Sequence, residues 1–585
     1  MHSDRISHHR HAWPGVISTC CSLLLVSLIV FAQDTYGDLH DAEVSERGAV
    51  ATVNALATQA GMEVLAHGGN AVDAAVAAAF ALGVVDGHNS GIGGGAFVLI
   101  RTANGQLIAL DGRETAPAKA TRDMFIRNGI ADTQLSQLGA LASGVPGSVM
   151  AYERAVALAG AKPFAESIQP AIHLAEKGFS LDHLYATRLA GSADRLAQFP
   201  GSRAVLLQPD GQPWPEGHTL IQTDLSSTLK GIAQDGSRYF YQGSFARAVD
   251  EWMQRNGGLL SKDDFASYRA VERPPIRFDY RGFQIVSFPP PSSGGIHVAQ
   301  ILGMLEKYKL SELDESDRYH VLGEAMKLAF ADRAYWLGDP DFTDVPPELI
   351  DKAYLSRQAA RIDLSRVITV QTHGDPTQTL SPSDPVNDAT DLFLKHTTHI
   401  AAADYAGNWV AITTTVNTDF GSKVIIPGTG VIMNNQMDDF STQPGVPNAY
   451  GLVGAEANSI QPGKRPLSSM SPTLVIKDGN PMMTLGAAGG PTIITQVVQT
   501  LINTLDLKLP LDQALSKSRI HQQWRPDSLF VEGNLPANIR TELEKKGHSL
   551  KELGPYGSTQ AILMGQDGKL IAVSEPRLKA RRGGP

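Results

Sequence analysis

An α+β chain, long enough for one large core or several domains, is what the sequence predicts, and three observations carry it. The chain has 585 residues, of which 42% are hydrophobic and 19% charged, enough apolar material for a sizeable buried interior. Helical periodicity runs through residues 53–82, and a strand–loop–strand pattern begins at Thr397.

Val53, Leu56, Ala57, Ala60 and Val64 recur at the spacing of one helix face, and Gly68-Gly69 supplies a stop. Asn70 can cap a second, alanine-rich helix over 71–82, whose small side chains permit close packing. Gly91-Ile92-Gly93-Gly94-Gly95 with the later Asp111 imitates a dinucleotide fingerprint. The order of elements opposes that reading, because a helix precedes the glycines and 96–100 reads as the following strand.

Residues 146–361 alternate helical stretches with turn-rich passages such as Pro289-Pro290-Pro291-Ser292-Ser293-Gly294-Gly295. Ser227 and Lys230 form an isolated SxxK pair on a polar helix, without companion motifs. Between 373 and 391 the chain turns polar and proline-rich, the composition of an exposed loop or linker and a candidate boundary.

Beyond it, 397–402 and 409–417 read as strands joined by Asp404-Tyr405-Ala406-Gly407-Asn408. With those five residues as the loop, Ala403 pairs with Trp409 and Thr397 falls opposite Thr415. Thr413, Thr415 and Asn417 then share one face, and Val410, Ile412 and Val416 share the other. An edge hairpin with solvent-facing threonines fits the same pattern.

A net charge of −10 gives no basic surface for tracking phosphates, so a small substrate is expected rather than nucleic acid. Arg5 and Arg10 precede an apolar run over 16–31, which reads as a signal peptide cleaved after Ala32; a membrane anchor, needing an apolar stretch nearer ~20 residues, is the alternative. Both cysteines, Cys20 and Cys21, lie in that leader, and no HExxH pair occurs, so neither a disulfide nor a metal site is expected.

Several strings then resemble the γ-glutamyltranspeptidase family of N-terminal nucleophile hydrolases: Thr397-Thr398-His399, Thr415-Val416-Asn417-Thr418, Asn434 to Phe440, Lys464 to Thr473, and Gly489-Gly490. The resemblance runs over nearly the whole chain after the leader. It implies a four-layer αββα sandwich made jointly by a large subunit, 33–396, and a small one, 397–585, cut from one precursor at His396/Thr397. The segment 373–396 would be the exposed linker before the cut.

The chemistry behind that expectation is simple. A hydroxyl is a weak nucleophile at neutral pH and needs a base, and a free α-amine with pKa of about 8 can serve. Thr397 at a new N-terminus supplies both. By the same resemblance Thr415 bonds the Thr397 hydroxyl, and Gly489 and Gly490 give backbone donors to the oxyanion; Gly-Gly read alone is a tight turn. Ala487-Ala488 replace the Ser-Pro often found before that pair. Arg113, with Ser468 and Ser469, is expected to hold the donor's α-carboxylate, and Asp439, with Gln436 and Asn417, its ammonium. The Pro/Gly-punctuated segment 441–451, too polar for core, resembles a lid with Tyr450 at its gate.

The implied enzyme takes γ-glutamyl from glutathione or a similar donor and passes it to water or to an amino-acid or peptide amine. No cofactor is implied, and the place is the periplasm or the exterior. A cephalosporin (glutaryl) acylase and an inactive protein that keeps the pocket are the alternatives. The basic run from Arg577 to Arg582 reads as a solvated tail.

Overall fold

The computed structural model describes residues 40–378, 396–554 and 556–578. The leader, most of the 373–396 segment and residues 579–582 lie outside them. Helix α1 (Ala55–Ala66) is capped by the Asn54 side chain, and α2 (Ala71–Val85) by Asn70 in a reciprocal box with Asp73. The second helix runs past its expected end at 82 because Val84 and Val85 continue its buried surface.

Two large sheets follow. Their strands are β1 (Ala42–Val44), β2 (Gly48–Ala51), β3 (Gly95–Arg101), β4 (Leu107–Gly112), β5 (Val271–Arg273), β6 (Ile276–Tyr280), β7 (Phe283–Ser287), β8 (Thr398–Asp404), β9 (Trp409–Thr415), β10 (Thr473–Lys477), β11 (Asn480–Gly486), β12 (Gln560–Met564) and β13 (Leu570–Ser574). The first sheet has the order β1-β2-β8-β9-β3-β4-β5 and the second β6-β7-β10-β11-β12-β13. All neighbouring pairs are antiparallel.

Alternation along the central strands decides which side meets what. Val98, Ile100, Ile400, Ala402, Val410 and Ile412 pack with α1 and α2, whereas Phe97, Leu99, Ala401, Ala403, Trp409 and Ala411 face the second sheet through Val475, Met483 and Leu485. Thr484 Oγ1 also donates across the gap to the Val410 carbonyl at 2.9 Å. On the outer side of the second sheet lie α3 (Gly294–Leu305) and α5 (Thr492–Leu505), with α4 (Glu315–Trp336) packed on α3. The result is the four-layer sandwich. Each buried Val, Ile or Phe contributes about 1.5–3 kcal/mol, so a one-residue slip that turned this set over is excluded energetically.

The hairpin register agrees residue for residue: Ala403 pairs with Trp409 and Thr398 with Thr414. The edge-hairpin alternative fails, because β8 and β9 sit between β2 and β3 in the middle of the sheet. For the same reason the polar stretch after 373 divides no domains, since strands from both sides of it share one sheet.

Three expectations of exposure need correction. His396 is buried, and His373 stacks on Tyr335 with centroids 3.7 Å apart while Gly374 N–H donates to Asp332, so both described ends of the linker segment are docked. Arg577 is no solvated tail residue: its guanidinium pairs with Glu532 and Glu575 at 2.7 and 2.8 Å. Composition hid these because aromatic stacking and acidic partners come from distant segments. The third concerns the 441–451 segment, whose middle is partly exposed but whose Ala449 and Tyr450 are buried. The isolated Ser227 and Lys230 lie on helix Thr223–Asp235, where Lys230 pairs with Glu176 at the surface.

Candidate active site

Thr397 stands one residue before β8, on the face turned between the sheets, and is 6% exposed. Its hydroxyl donates to Thr415 Oγ1 at 2.9 Å, and the same oxygen accepts the Asn417 N–H at 2.9 Å. Beneath, His399 Nδ1 lies 2.9 Å from Thr413 Oγ1, and burial pushes this imidazole down to about 3, so it is a neutral wall at ordinary pH. Thr397 has φ 95, a left-handed conformation foreign to a β-branched residue and worth about 1–3 kcal/mol of strain. Strain therefore sits at the Thr397 N–Cα bond, directly beside the peptide that joins His396 to Thr397.

The carbonyl of that peptide already has a donor: Gly489 N–H reaches His396 O at 3.1 Å. Gly489 and Gly490 have φ 128 and 58 and lead into α5 at Thr492, so their N–H groups lie at the positive end of a long helix. A Cβ on Gly490 would come within 2.5 Å of the Tyr450 ring. The absent Ser-Pro is compensated locally, because Ala488 donates to Ser558 O, accepts from Gln496, and Thr492 Oγ1 donates back to Gly489 O at 2.8 Å.

On one side of Thr397 opens a small pocket lined by Arg113, Asp439, Gln436, Asn417, Ser468, Ser469, Tyr450 and Gly490. Arg113 follows β4. Its backbone N–H bonds Asp111 at 2.9 Å, and Asp111 is itself held by Arg273, which gives the false fingerprint acid a positioning role. The Arg113 guanidinium donates to Pro466 O at 3.0 Å and to Asp439 Oδ2 at 2.5 Å; Gln436 donates to the same oxygen at 2.6 Å. A cation and an anion thus face one small space and satisfy each other, which suits a zwitterionic group that can engage both. Ser468 Oγ accepts from Met470 N–H and Ser469 Oγ from Arg333.

Tyr450 closes this space, its hydroxyl donating to Asn417 O at 2.7 Å. The 441–451 segment is pinned by Ala449 N–H to Asp438, a buried carboxyl that burial pushes up to about 6.

The structure adds residues that sequence reasoning missed. Arg333 on α4 is a second buried cation in the pocket, lowered by burial to about 10 and still charged at neutral pH. Glu114, buried with both oxygens lacking hydrogen bonds, lies 3.5 Å from Arg113, and burial raises it to about 7 against that arginine's pull. The Pro289 to Gly295 run buttresses the serine loop, with Ser293 N–H donating to Ser468 O and Ser468 N–H to Pro291 O, both 2.8 Å. Adjacency to Arg113 was the one available signal for Glu114; nothing local marked Arg333.

Beyond the opposite side of Thr397, His396 Nδ1 lies 2.8 Å from Asp419, which also takes Arg188 at 3.1 Å. Burial would raise the Asp419 carboxyl, but His396 and Arg188 hold it well below the usual range.

A family model described as gamma-glutamyltranspeptidase matches residues 57–583. The chain is 44% identical over 538 residues to a glutathione hydrolase proenzyme of Escherichia coli (strain K12), with 91% of each sequence covered. Among solved structures it resembles a cephalosporin acylase from Bacillus halodurans, with a TM-score of 0.81, 28% identity, and 93% of this chain and 96% of that one covered. It also resembles a Helicobacter pylori gamma-glutamyltranspeptidase, with 38% identity and a TM-score of 0.55 over 60% of this chain and 99% of that one. By the length of the family match and by identity across nine-tenths of a full-length relative, the chain belongs to the gamma-glutamyltranspeptidase family.

Proposed function

We infer that the protein is a self-activating γ-glutamyl hydrolase and transferase whose nucleophile is Thr397. The observation that carries the reading is the bond from the Thr397 hydroxyl to Thr415 beside a His396 carbonyl already held by Gly489. In the precursor the hydroxyl oxygen attacks that carbonyl carbon, the C–N bond to Thr397 breaks, and the departing nitrogen takes the hydroxyl proton. Water then opens the ester, leaving a carboxylate at His396 and a free α-amine at Thr397. The pieces 33–396 and 397–585 stay together, because β8 and β9 are central in a sheet that the larger piece completes.

In the processed enzyme the Thr397 amine serves as base and its hydroxyl attacks the γ-carbonyl of glutathione or a similar donor. The donor's carboxylate goes to Arg113, Ser468 and Ser469 and its ammonium to Asp439, Gln436 and Asn417. Gly489 and Gly490 at the α5 terminus receive the oxyanion. The amine leaves with the proton, and water or an amino-acid or peptide amine resolves the γ-glutamyl ester. Tyr450 keeps the pocket narrow.

The acylase likeness favours a second reading in which the acyl group is glutaryl. Asp439 speaks against it, since a glutaryl chain has no ammonium to pair with a carboxylate beside Arg113. Release from γ-glutamyl and glutaryl anilides decides: faster γ-glutamyl turnover is expected, and faster glutaryl turnover overturns the assignment. Export through the 1–32 leader to the periplasm or exterior belongs to the same proposal. Among the described residues no helix is long and apolar enough to cross a membrane.

A further inference from the structure

The side of Thr397 away from the Arg113 pocket contains a group of charges that donor chemistry leaves unused. His396 is 1% exposed and its Nδ1 is 2.8 Å from Asp419 Oδ1. The other Asp419 oxygen accepts from Arg188 Nη1 at 3.1 Å, and Arg188 comes from helix His183–Leu196. Asp419 lies in a rigid turn: Asn417, Phe420 and Lys423 all have positive φ, Phe420 N–H donates to His88 O at 2.9 Å, and Lys423 donates to the Asp419 carbonyl. Neither Asp419 nor Arg188 lines the Arg113 pocket.

Three fixed points therefore surround the peptide that joins His396 to Thr397. The His396 carbonyl is held by Gly489, the Thr397 hydroxyl by Thr415, and the His396 side chain by Asp419. Without the third point the His396 residue can rotate about its own backbone, and its carbonyl can swing from the hydroxyl and relieve φ at Thr397. We propose that Asp419, braced by Arg188, is a positioning residue for self-cleavage: it clamps the His396 imidazole so that the scissile carbonyl stays before the Thr397 hydroxyl. The clamp rests on the self-cleavage reading above and adds a residue pair to it. Because the clamp grips the side chain on the acyl side of the bond that is cut, it serves the precursor and not donor turnover.

The test is a time course of full-length precursor from cell-free synthesis, followed by electrophoresis, for wild type, Asp419→Ala, His396→Ala, the double variant and Asp419→Asn. Loss of this buried pairing with a carboxylate slows cleavage about tenfold or more in either alanine variant. The double variant is expected to be no slower than the slower single one, since each removes the same contact. Asp419→Asn, which keeps an oxygen of the same shape beside the imidazole, should recover most of the rate. Once cleaved, Asp419→Ala should show wild-type kcat and KM for a γ-glutamyl anilide. Wild-type cleavage speed in Asp419→Ala, multiplied defects in the double variant, or equal failure of the alanine and asparagine variants overturns the clamp. A wild-type precursor that is never cut at His396/Thr397 overturns the underlying reading instead.

Discussion

Replacing Asp439 by asparagine removes one charge from the donor pocket with little change in shape. This carboxylate accepts from Arg113 at 2.5 Å and from Gln436 at 2.6 Å. Breaking a buried pair of this kind typically costs about 3–5 kcal/mol of stability. Two features reduce that here: the Asp439 side chain is 12% exposed, and Glu114 lies 3.5 Å from Arg113. Asp439 is one of the charges that keep Glu114 raised to about 7, so its removal lets Glu114 ionise more readily and pair with Arg113. For donor binding the lost contact is a charge-assisted hydrogen bond to the ammonium, about 1.5–3 kcal/mol, or roughly 10- to 100-fold in kcat/KM. A glutaryl donor lacks the ammonium and should change little. The assay is kcat/KM for γ-glutamyl and glutaryl anilides in both proteins, with the extent of self-cleavage checked by electrophoresis. A selectivity ratio that falls at least tenfold with normal cleavage is expected. Parallel losses for both donors, or no loss, would refute the placement of the ammonium.

Thr415→Val keeps the shape but removes the acceptor shared by the Thr397 hydroxyl and Asn417 N–H. It should slow both self-cleavage and donor turnover by about 10- to 100-fold while leaving the fold intact, read by a cleavage time course and a melting curve. Gly490→Ala puts a Cβ against the Tyr450 ring at a backbone with φ 58, so donor KM should rise, and adding Tyr450→Ala should restore part of the activity. Glu114, raised in the fold from 4.5 to about 7, binds its proton more tightly folded than unfolded. It therefore favours the fold fully below pH 4.5, and that contribution is lost as pH rises to about 7. Denaturant titrations of Glu114→Gln across that window should show a shallower decline than wild type.

Local patterns in the sequence were enough to place the hairpin, because two alternating strands and a five-residue loop leave one register that buries Val410 and Ile412 together. That register alone puts Thr397 opposite Thr415. The two helices were legible from their apolar spacing, the Gly68-Gly69 stop and the Asn70 cap, whereas the Asn54 cap and the extension to Val85 came from the structure. Roles for Arg113, Asp439 and the glycine pair came from family resemblance, since their meeting depends on segments some hundreds of residues apart. Arg333, Glu114 and the Asp419 clamp escaped because nothing in a window of sequence tells which buried charge faces which cavity. The exposure errors at His373, His396, Tyr450 and Arg577 share one cause. Polar composition predicts solvent contact only until a specific partner supplies the missing hydrogen bond or ring.

Mass measurement of the purified wild-type protein and of Thr397→Ala tests the central claim most directly. Two fragments in the wild type, the smaller beginning at Thr397 and ending at Pro585, together with a single uncut chain in the variant, are the predicted result. Cleavage elsewhere, an uncut wild-type chain that nonetheless turns over donor, or normal cleavage of Thr397→Ala would contradict it.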